Sequence, residues 1–340
     1  GHLNLGCVQR LSGRIDSAIA SFETAIGLRP DFAQAHFNLA LALLMRGELS
    51  RGWEELEWRL QPPGANRTAR IHHAIPAWRG ELLGGRSILL HAEQGFGDAI
   101  QFARYVPMVA DRGGRIILMC RPALRRLFER LRGVEQVIEP GPSVPRVDVQ
   151  CPFMSLPRAF GTTLESIPAD VPYLSPPPEL IDTWKAKLDG ISGMKVGFAW
   201  AGSRTNTRDR YRSCRLDDLA PLFEVSGVTF VNLQKGEAGS TLPTGILDPT
   251  GDLHDWADTA ALLANLDLVI SVDTAIVHLA GAMGKPVWTL LSAAGEWRWL
   301  RDRTDTSWYP TMRLWRQKTL GEWEELMGRV AAELRSMDRR

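Results

Sequence analysis

Over residues 1–60 the apolar positions recur every three or four residues, and beyond them they contract into short runs separated by amphipathic stretches. The first spacing belongs to helices that bury one stripe, the second to buried strands alternating with helices. Gln61, Pro62, Pro63 and Gly64 mark the change. Strands are expected over 87–92, 115–120 and 134–138, with helices over 98–110 and 123–131. A proline-rich stretch at 140–145 reads as a loop and another at 168–178 as an interdomain connector. Alternation then resumes, with strands at 194–200, 228–233, 268–272 and 287–291 and helices at 216–225, 257–266 and 274–283. This alternation makes parallel sheets covered by helices on both faces. The expected fold class is α/β, with two Rossmann-like doubly wound domains at 63–178 and 179–340 behind a helical segment at 1–62. The last helix could pack back on the N-terminal half. Residues 305–317 read as a hinge-side strand and loop, and Trp297, Trp299, Trp308 and Tyr309 fit core aromatics better than site walls.

Within the helical segment, Gly6, Gly13, Ala18, Phe22, Ala25 and Pro30 stand at the spacing of a tetratricopeptide repeat, which the segment resembles. Small residues let paired helices approach, Phe22 fills the gap between them, and Pro30 stops the second helix. A shift of one repeat carries Gly6, Gly13 and Phe22 onto Ala40, Gly47 and Leu56, so a second copy is expected over 33–60. Gly52 and Arg59 then fall where small residues belong, which marks this copy as a decayed terminal repeat. Two such units need cover, either from preceding repeats or from the following domain through Trp53 and Trp58. Arrays of this kind commonly hold proteins, although two hairpins that merely pack would show the same spacing.

The chain has 340 residues with 40 basic and 39 acidic side chains, a length that calls for more than one core. Near-neutral charge lacks the electrostatic footprint of a dedicated nucleic-acid binder. Cys7, Cys120, Cys151 and Cys214 are far apart, with no Cys-x-x-Cys pair, so neither a disulfide framework nor a zinc knuckle is indicated. A reducing cytoplasmic setting follows, peripheral attachment to an inner membrane included. The longest apolar run, 39–45, is far short of the roughly 20 residues of a membrane span. Gly1 opens the chain with no secretory pattern behind it, so the sequence reads as beginning inside a longer protein.

Three loops carry candidate chemistry. In the first, His91 to Asp98, a strand end runs through Gly95 and Gly97 into a helix. This is not the dinucleotide fingerprint, because Ala99 and Ile100 stand where a third glycine is needed. Asp98 could cap the helix, or take the proton of an attacking hydroxyl held close to it. The second loop, after Trp200, gathers Gly202, Ser203, Arg204, Arg208, Arg210 and Arg212. Forked guanidinium donors and open backbone suit a diphosphate, and a solvated surface loop is the bland alternative. The third, Ser271 to His278, is again a strand end and helix start, with Asp273 expected as the cap, Thr274 as the first helical residue and His278 on the same face as Thr274. Gln234 and Lys235, just after a strand, are candidate contacts to a nucleotide base or ribose.

The runs Phe198-Ala-Trp-Ala-Gly-Ser, Val231-Asn-Leu-Gln-Lys-Gly, Val272-Asp-Thr-Ala-Ile-Val-His-Leu-Ala-Gly and Trp308-Tyr-Pro-Thr-Met-Arg-Leu-Trp resemble bacterial tetratricopeptide-repeat glycosyltransferases. Their catalytic region is similar to the lipopolysaccharide heptosyltransferases, and more distantly to the O-linked N-acetylglucosamine transferases. The resemblance implies a GT-B fold clasping a nucleotide sugar without a required metal or cofactor. It implies that Asp98, in the Gly97-Asp98 pair, is the base, and that Asp273, Thr274 and His278 belong to the donor site. Ala275 stands where the family usually has glycine, and arginines of the second loop stand where a lysine often serves it. The expected activity is transfer of a sugar from a nucleotide-sugar donor to an acceptor hydroxyl, on a protein recruited by the repeats, such as a surface-appendage subunit. A lipopolysaccharide or lipid-linked acceptor, a catalytically inactive GT-B scaffold and a nucleotide-sugar epimerase are the alternatives.

Overall fold

Helices α1 (His2–Leu11), α2 (Ile15–Leu28), α3 (Ala33–Arg46) and α4 (Leu49–Leu56) form two hairpins in a computed structural model that describes residues 1–61, 71, 74–141, 144–203, 209–236 and 241–337. The small positions read from the repeat spacing are small for a steric reason. A Cβ on Gly6 would stand 2.5 Å from the Phe22 ring, and one on Gly52 2.6 Å from Leu44. Gly47 ends α3 at φ 91°, a left-handed cap in which its own N–H and that of Glu48 return to the Leu44 and Leu43 carbonyls. A side chain there would be strained whatever space it found.

The helical pair and the first sheet pack into one compact unit, Gly1–Ala169 with Ala294–Arg303, and the second sheet forms another, Asp170–Ala293 with Thr304–Arg340. Trp53 joins the hairpins to the first sheet's helices. Its ring is 2% exposed, meets Phe102 edge-on at 6.5 Å, and its Nε1 donates to the Thr162 carbonyl at 3.0 Å. Trp58 stacks on His36 within the helical pair.

The first sheet holds β1 (Ser87–His91), β2 (Arg115–Met119), β3 (Val134–Ile138) and β4 (Val149–Pro152), all parallel in the order β3-β2-β1-β4. The fourth strand is absent from the periodicity because it is short, ends on proline and centres on Gln150. That carboxamide is nonetheless fully buried, with its Oε1 on His91 Nε2 at 2.9 Å. From β1 the chain enters α5 (Phe96–Phe102) and continues through a 3₁₀ turn into Val106–Ala110, where Pro107 sits in the first turn of the new segment. The single helix expected over 98–110 is therefore broken.

The second sheet is also parallel, in the order β6-β5-β7-β8-β9, from β5 (Met194–Ala199), β6 (Val228–Asn232), β7 (Leu268–Val272), β8 (Val287–Leu291) and β9 (Met312–Arg316). Helices α6 (Trp256–Ala264) and α7 (Ala275–Ala282) alternate with its strands. Helix α8 (Trp323–Met337) buries Trp323, Leu326, Met327, Val330 and Leu334 against Phe198, Leu222 and Phe230. This corrects the expectation that it packs on the N-terminal half: its apolar stripe completes the core of the second sheet.

Burial also sets the reactivity of the thiols. Cys120 is fully buried and its thiol is pushed up to about 12, while Cys151 and Cys214 are raised by burial as well. Cys7 is half-buried. Iodoacetamide on the native protein is therefore expected to label Cys7 first. Peptide mass spectrometry checks this, and labelling of Cys151 as fast as Cys7 would contradict the packing.

Candidate active site

In the first unit the loop leaving β1 carries two acidic side chains in different settings. Glu93 is 2% exposed and paired with Arg59 Nη2 at 2.9 Å. Burial pushes its carboxyl upward, against the pull of Arg59. Burial disfavours the Arg59 guanidinium too, but the Glu93 and Glu57 carboxylates overrule it and keep the charge in place. Glu57 Oε1 accepts from Arg59 at 2.8 Å and from the Ser155 hydroxyl at 2.7 Å, so the pair is tied to both the helical pair and the segment after β4. Arg59 is the residue that occupies a small position of the decayed repeat, and the structure uses it to fasten the repeat to the β1 loop.

Asp98 lies in the first turn of α5 and keeps a quarter of its side chain exposed. Its Oδ2 accepts the Gly95 N–H at 3.0 Å, and its Oδ1 accepts from Arg298 Nη2. Gly95 stands at φ −68°, open to any residue, and Gly97 lies inside the helix, so neither glycine supplies an unusual backbone. A cavity of about 340 Å³ opens near Glu57, Trp58, Trp78, Gln150, Ser155 and Arg158, where the helical pair meets the end of β4.

In the second unit the ends of β6, β5 and β7 lie side by side. Gln234 Oε1 accepts the backbone N–H groups of Trp200 and Ala201 at 3.3 and 2.9 Å, so this carboxamide braces the loop after β5. Gly202 donates to Ser213 Oγ at 2.9 Å, and a Cβ at Gly202 would run into Asp209 and Arg212, which are themselves paired at 3.2 Å. Ser203 is exposed beside them. Arg204 and Arg208 lie outside the described residues. Lys235 Nζ donates to the Leu253 carbonyl, which draws it along the loop between β6 and α6.

Asp273 and His278 are 8% and 4% exposed, with His278 Nε2 4.0 Å from the Asp273 carboxylate and Nδ1 2.9 Å from the Tyr309 hydroxyl. The cap of α7 is Thr274, whose Oγ1 accepts the Ile276 N–H at 3.3 Å, and the helix begins at Ala275. The expected register, Asp273 as cap and Thr274 as first helical residue, is thus corrected by one position. Thr274 has the extended backbone a cap needs, and the Asp273 carboxylate lies beside His278. Tyr309 reaches this histidine because Gly281 leaves room: a Cβ there would stand 2.6 Å from the tyrosine ring.

The second sheet therefore brings Gly202, Gln234, Asp273 and Thr274 to neighbouring strand ends, where open parallel sheets place ligands. Residues 254–308, which include this loop, match the model of glycosyltransferase family 9 (heptosyltransferase), and residues 6–47 match that of the TPR repeat. The chain joins a tetratricopeptide repeat to a heptosyltransferase-type GT-B fold. Its fold is similar to E. coli ADP-heptose lipopolysaccharide heptosyltransferase II at 13% identity, with a TM-score of 0.51 over 74% of this chain and 99% of that one. The family 9 glycosyltransferase from Veillonella parvula is similar at 11% identity, with a TM-score of 0.54 over 76% of this chain and 99% of that one. Protein FlbA of Caulobacter vibrioides is 32% identical across 95% of this chain, which spans 59% of the FlbA length. Within the GT-B fold, the loops after β1, β5 and β7 are the ones the sequence singled out. Sequence reasoning passed over Glu93, Arg59 and Arg298. The out-of-place arginine in the second repeat was a signal for the first two, and nothing local marks Arg298.

Proposed function

We propose that the protein is a glycosyltransferase that moves a sugar from a nucleotide-sugar donor to a hydroxyl of a protein recruited by the repeats. The observation that carries this reading is the family 9 segment coinciding with the Asp273–Thr274 loop at the strand ends of the second sheet. In this reading the second unit holds the donor. The start of α7 and Arg212 face the charge that grows on the departing nucleoside diphosphate, with Arg204 and Arg208 of the same loop assigned to that task, and dipoles set beforehand do most of the stabilising. Ser203 is assigned to phosphate oxygens beside Gly202, whose own N–H is held by Ser213 Oγ, and His278 supports Asp273. Asp98 in the first unit receives the acceptor proton. Gln234 acts through the loop it braces. The reaction is assigned no metal or cofactor, so transfer should persist in chelator.

Protein recruitment is supported by the repeat match and by Leu5, Val8 and Leu11, which stand 48%, 56% and 38% exposed on α1. Among the described residues no helix is long and apolar enough to cross a membrane, and we assign the protein to the cytoplasm, with peripheral membrane attachment compatible. Incubation of a cell extract with labelled nucleotide sugars tests the whole reading. Label in the protein fraction is expected. Label in lipid would transfer the acceptor class to lipid-linked saccharide, an altered free sugar would indicate epimerisation, and nucleotide binding without any product would indicate a scaffold. Asp273→Ala is expected to weaken nucleoside diphosphate binding about tenfold, the scale of a lost charge-assisted hydrogen bond. Calorimetric titration measures it, and unchanged affinity would remove Asp273 from the donor site.

A further inference from the structure

The segment Ala294–Arg303 belongs to the first unit although both its flanks belong to the second. It is fastened along the helical pair at several points. Gly295 lies against Met45, the Trp297 ring meets Trp53 edge-on at 5.4 Å and stacks towards Phe102 at 6.5 Å, and Arg301 donates to the Gly13 carbonyl. Phe102 is on α5, the helix that carries Asp98.

Between these anchors stands Arg298, 11% exposed in its side chain. Its Nη2 donates to Asp98 Oδ1, its Nε to Gln101 Oε1, and its Nη1 to Glu296 Oε1 at 2.5 Å. The guanidinium also lies 4.3 Å over the Trp297 ring. With Oδ2 engaged by the Gly95 N–H, both oxygens of the Asp98 carboxylate have a directional partner. Each oxygen still has a second lone pair, and the side chain is open to an incoming hydroxyl.

We infer that Arg298 is a positioning residue for Asp98, delivered by a strap that the repeat helices hold in place. The inference rests on the reading of Asp98 as the base. A planar fork locked by Gln101, Glu296 and Trp297 fixes the orientation of the carboxylate as well as supplying charge. Lysine would supply only the charge. Alignment of a base with the proton it removes governs the rate more than it governs binding, so the effect belongs in kcat.

Arg298→Ala, Arg298→Lys and Asp98→Asn are compared in the transfer assay at saturating donor and acceptor, with nucleotide affinity and thermal midpoint recorded for each. Arg298→Ala is expected to lower kcat about ten- to a hundredfold with donor KM unchanged. Arg298→Lys should recover part of the loss. Low-millimolar guanidinium, filling the vacated site, should restore Arg298→Ala and leave Asp98→Asn inactive. Wild-type or higher turnover in Arg298→Ala, or a loss that guanidinium does not repair, overturns the positioning role. If Arg298→Ala loses its fold, Arg298→Lys decides: full wild-type kcat in that variant would also overturn the role of the fork. An inactive Asp98→Asn beside a fully active Arg298→Ala removes this inference alone, whereas an active Asp98→Asn removes the base reading and the inference with it.

Discussion

Asp98→Asn is expected to slow sugar transfer by about two orders of magnitude or more while nucleotide affinity stays near the wild-type value. The substitution keeps the size of the side chain and leaves an oxygen for Arg298, so the strap and the start of α5 retain their main contact. What the proposed mechanism loses is the capacity to take a proton from the acceptor hydroxyl as the glycosidic bond forms. Nucleotide affinity is spared because the donor-side candidates, Asp273, Thr274 and Gly202, stand on the other sheet. Single-turnover transfer with a parallel nucleotide titration separates the two effects. Unchanged turnover would remove Asp98 from the chemistry.

Breaking the buried pair in the β1 loop should have the largest effect on stability. Arg59→Met leaves Glu93, 2% exposed, without the cation at 2.9 Å that compensates it. Removing one member of a buried pair typically costs about 3–5 kcal/mol, whereas replacing both by apolar groups is often close to neutral. Arg59→Met is therefore expected to lower the denaturant midpoint sharply, and Arg59→Met with Glu93→Leu to regain most of the loss. Glu57, 22% exposed, can turn to water when Arg59 is gone.

The deficit should also depend on pH. Burial already raises the Glu93 carboxyl above its ordinary 4.5, and loss of Arg59 raises it further. A folded carboxyl that holds its proton more tightly than the unfolded chain loses stability as pH rises from the unfolded value through the folded one. The single variant should thus lie closer to wild type near pH 4 than near pH 7. Carboxylates with the opposite shift, such as Asp148 beside Ser87, are common to both proteins and cancel in the difference. A deficit equal at both pH values would mean that Glu93 is not the group left exposed to the cost.

Local pattern was enough to find the repeat helices, eight of the parallel strands now seen, and the loops that hold Asp98 and Asp273. Amphipathic spacing and the run of β-branched residues are set within a few positions of each residue, and Gly6, Phe22 and Gly52 show why the spacing takes the residues it does. Three features were out of reach of such reasoning. Strand β4 has a polar centre, and burying Gln150 is tolerable because His91 on β1 and the Ile75 carbonyl take up its carboxamide. The one-residue shift at Thr274 depends on the backbone angles of the cap. Arg298 meets Asp98 across 200 positions of chain, through a strap seated on Trp53, Phe102 and Met45. Charges so far apart in the chain carry no periodicity that names their partner. Which guanidinium reaches which carboxylate is decided when the apolar surfaces around them close, because burial makes an unpaired charge too costly to leave.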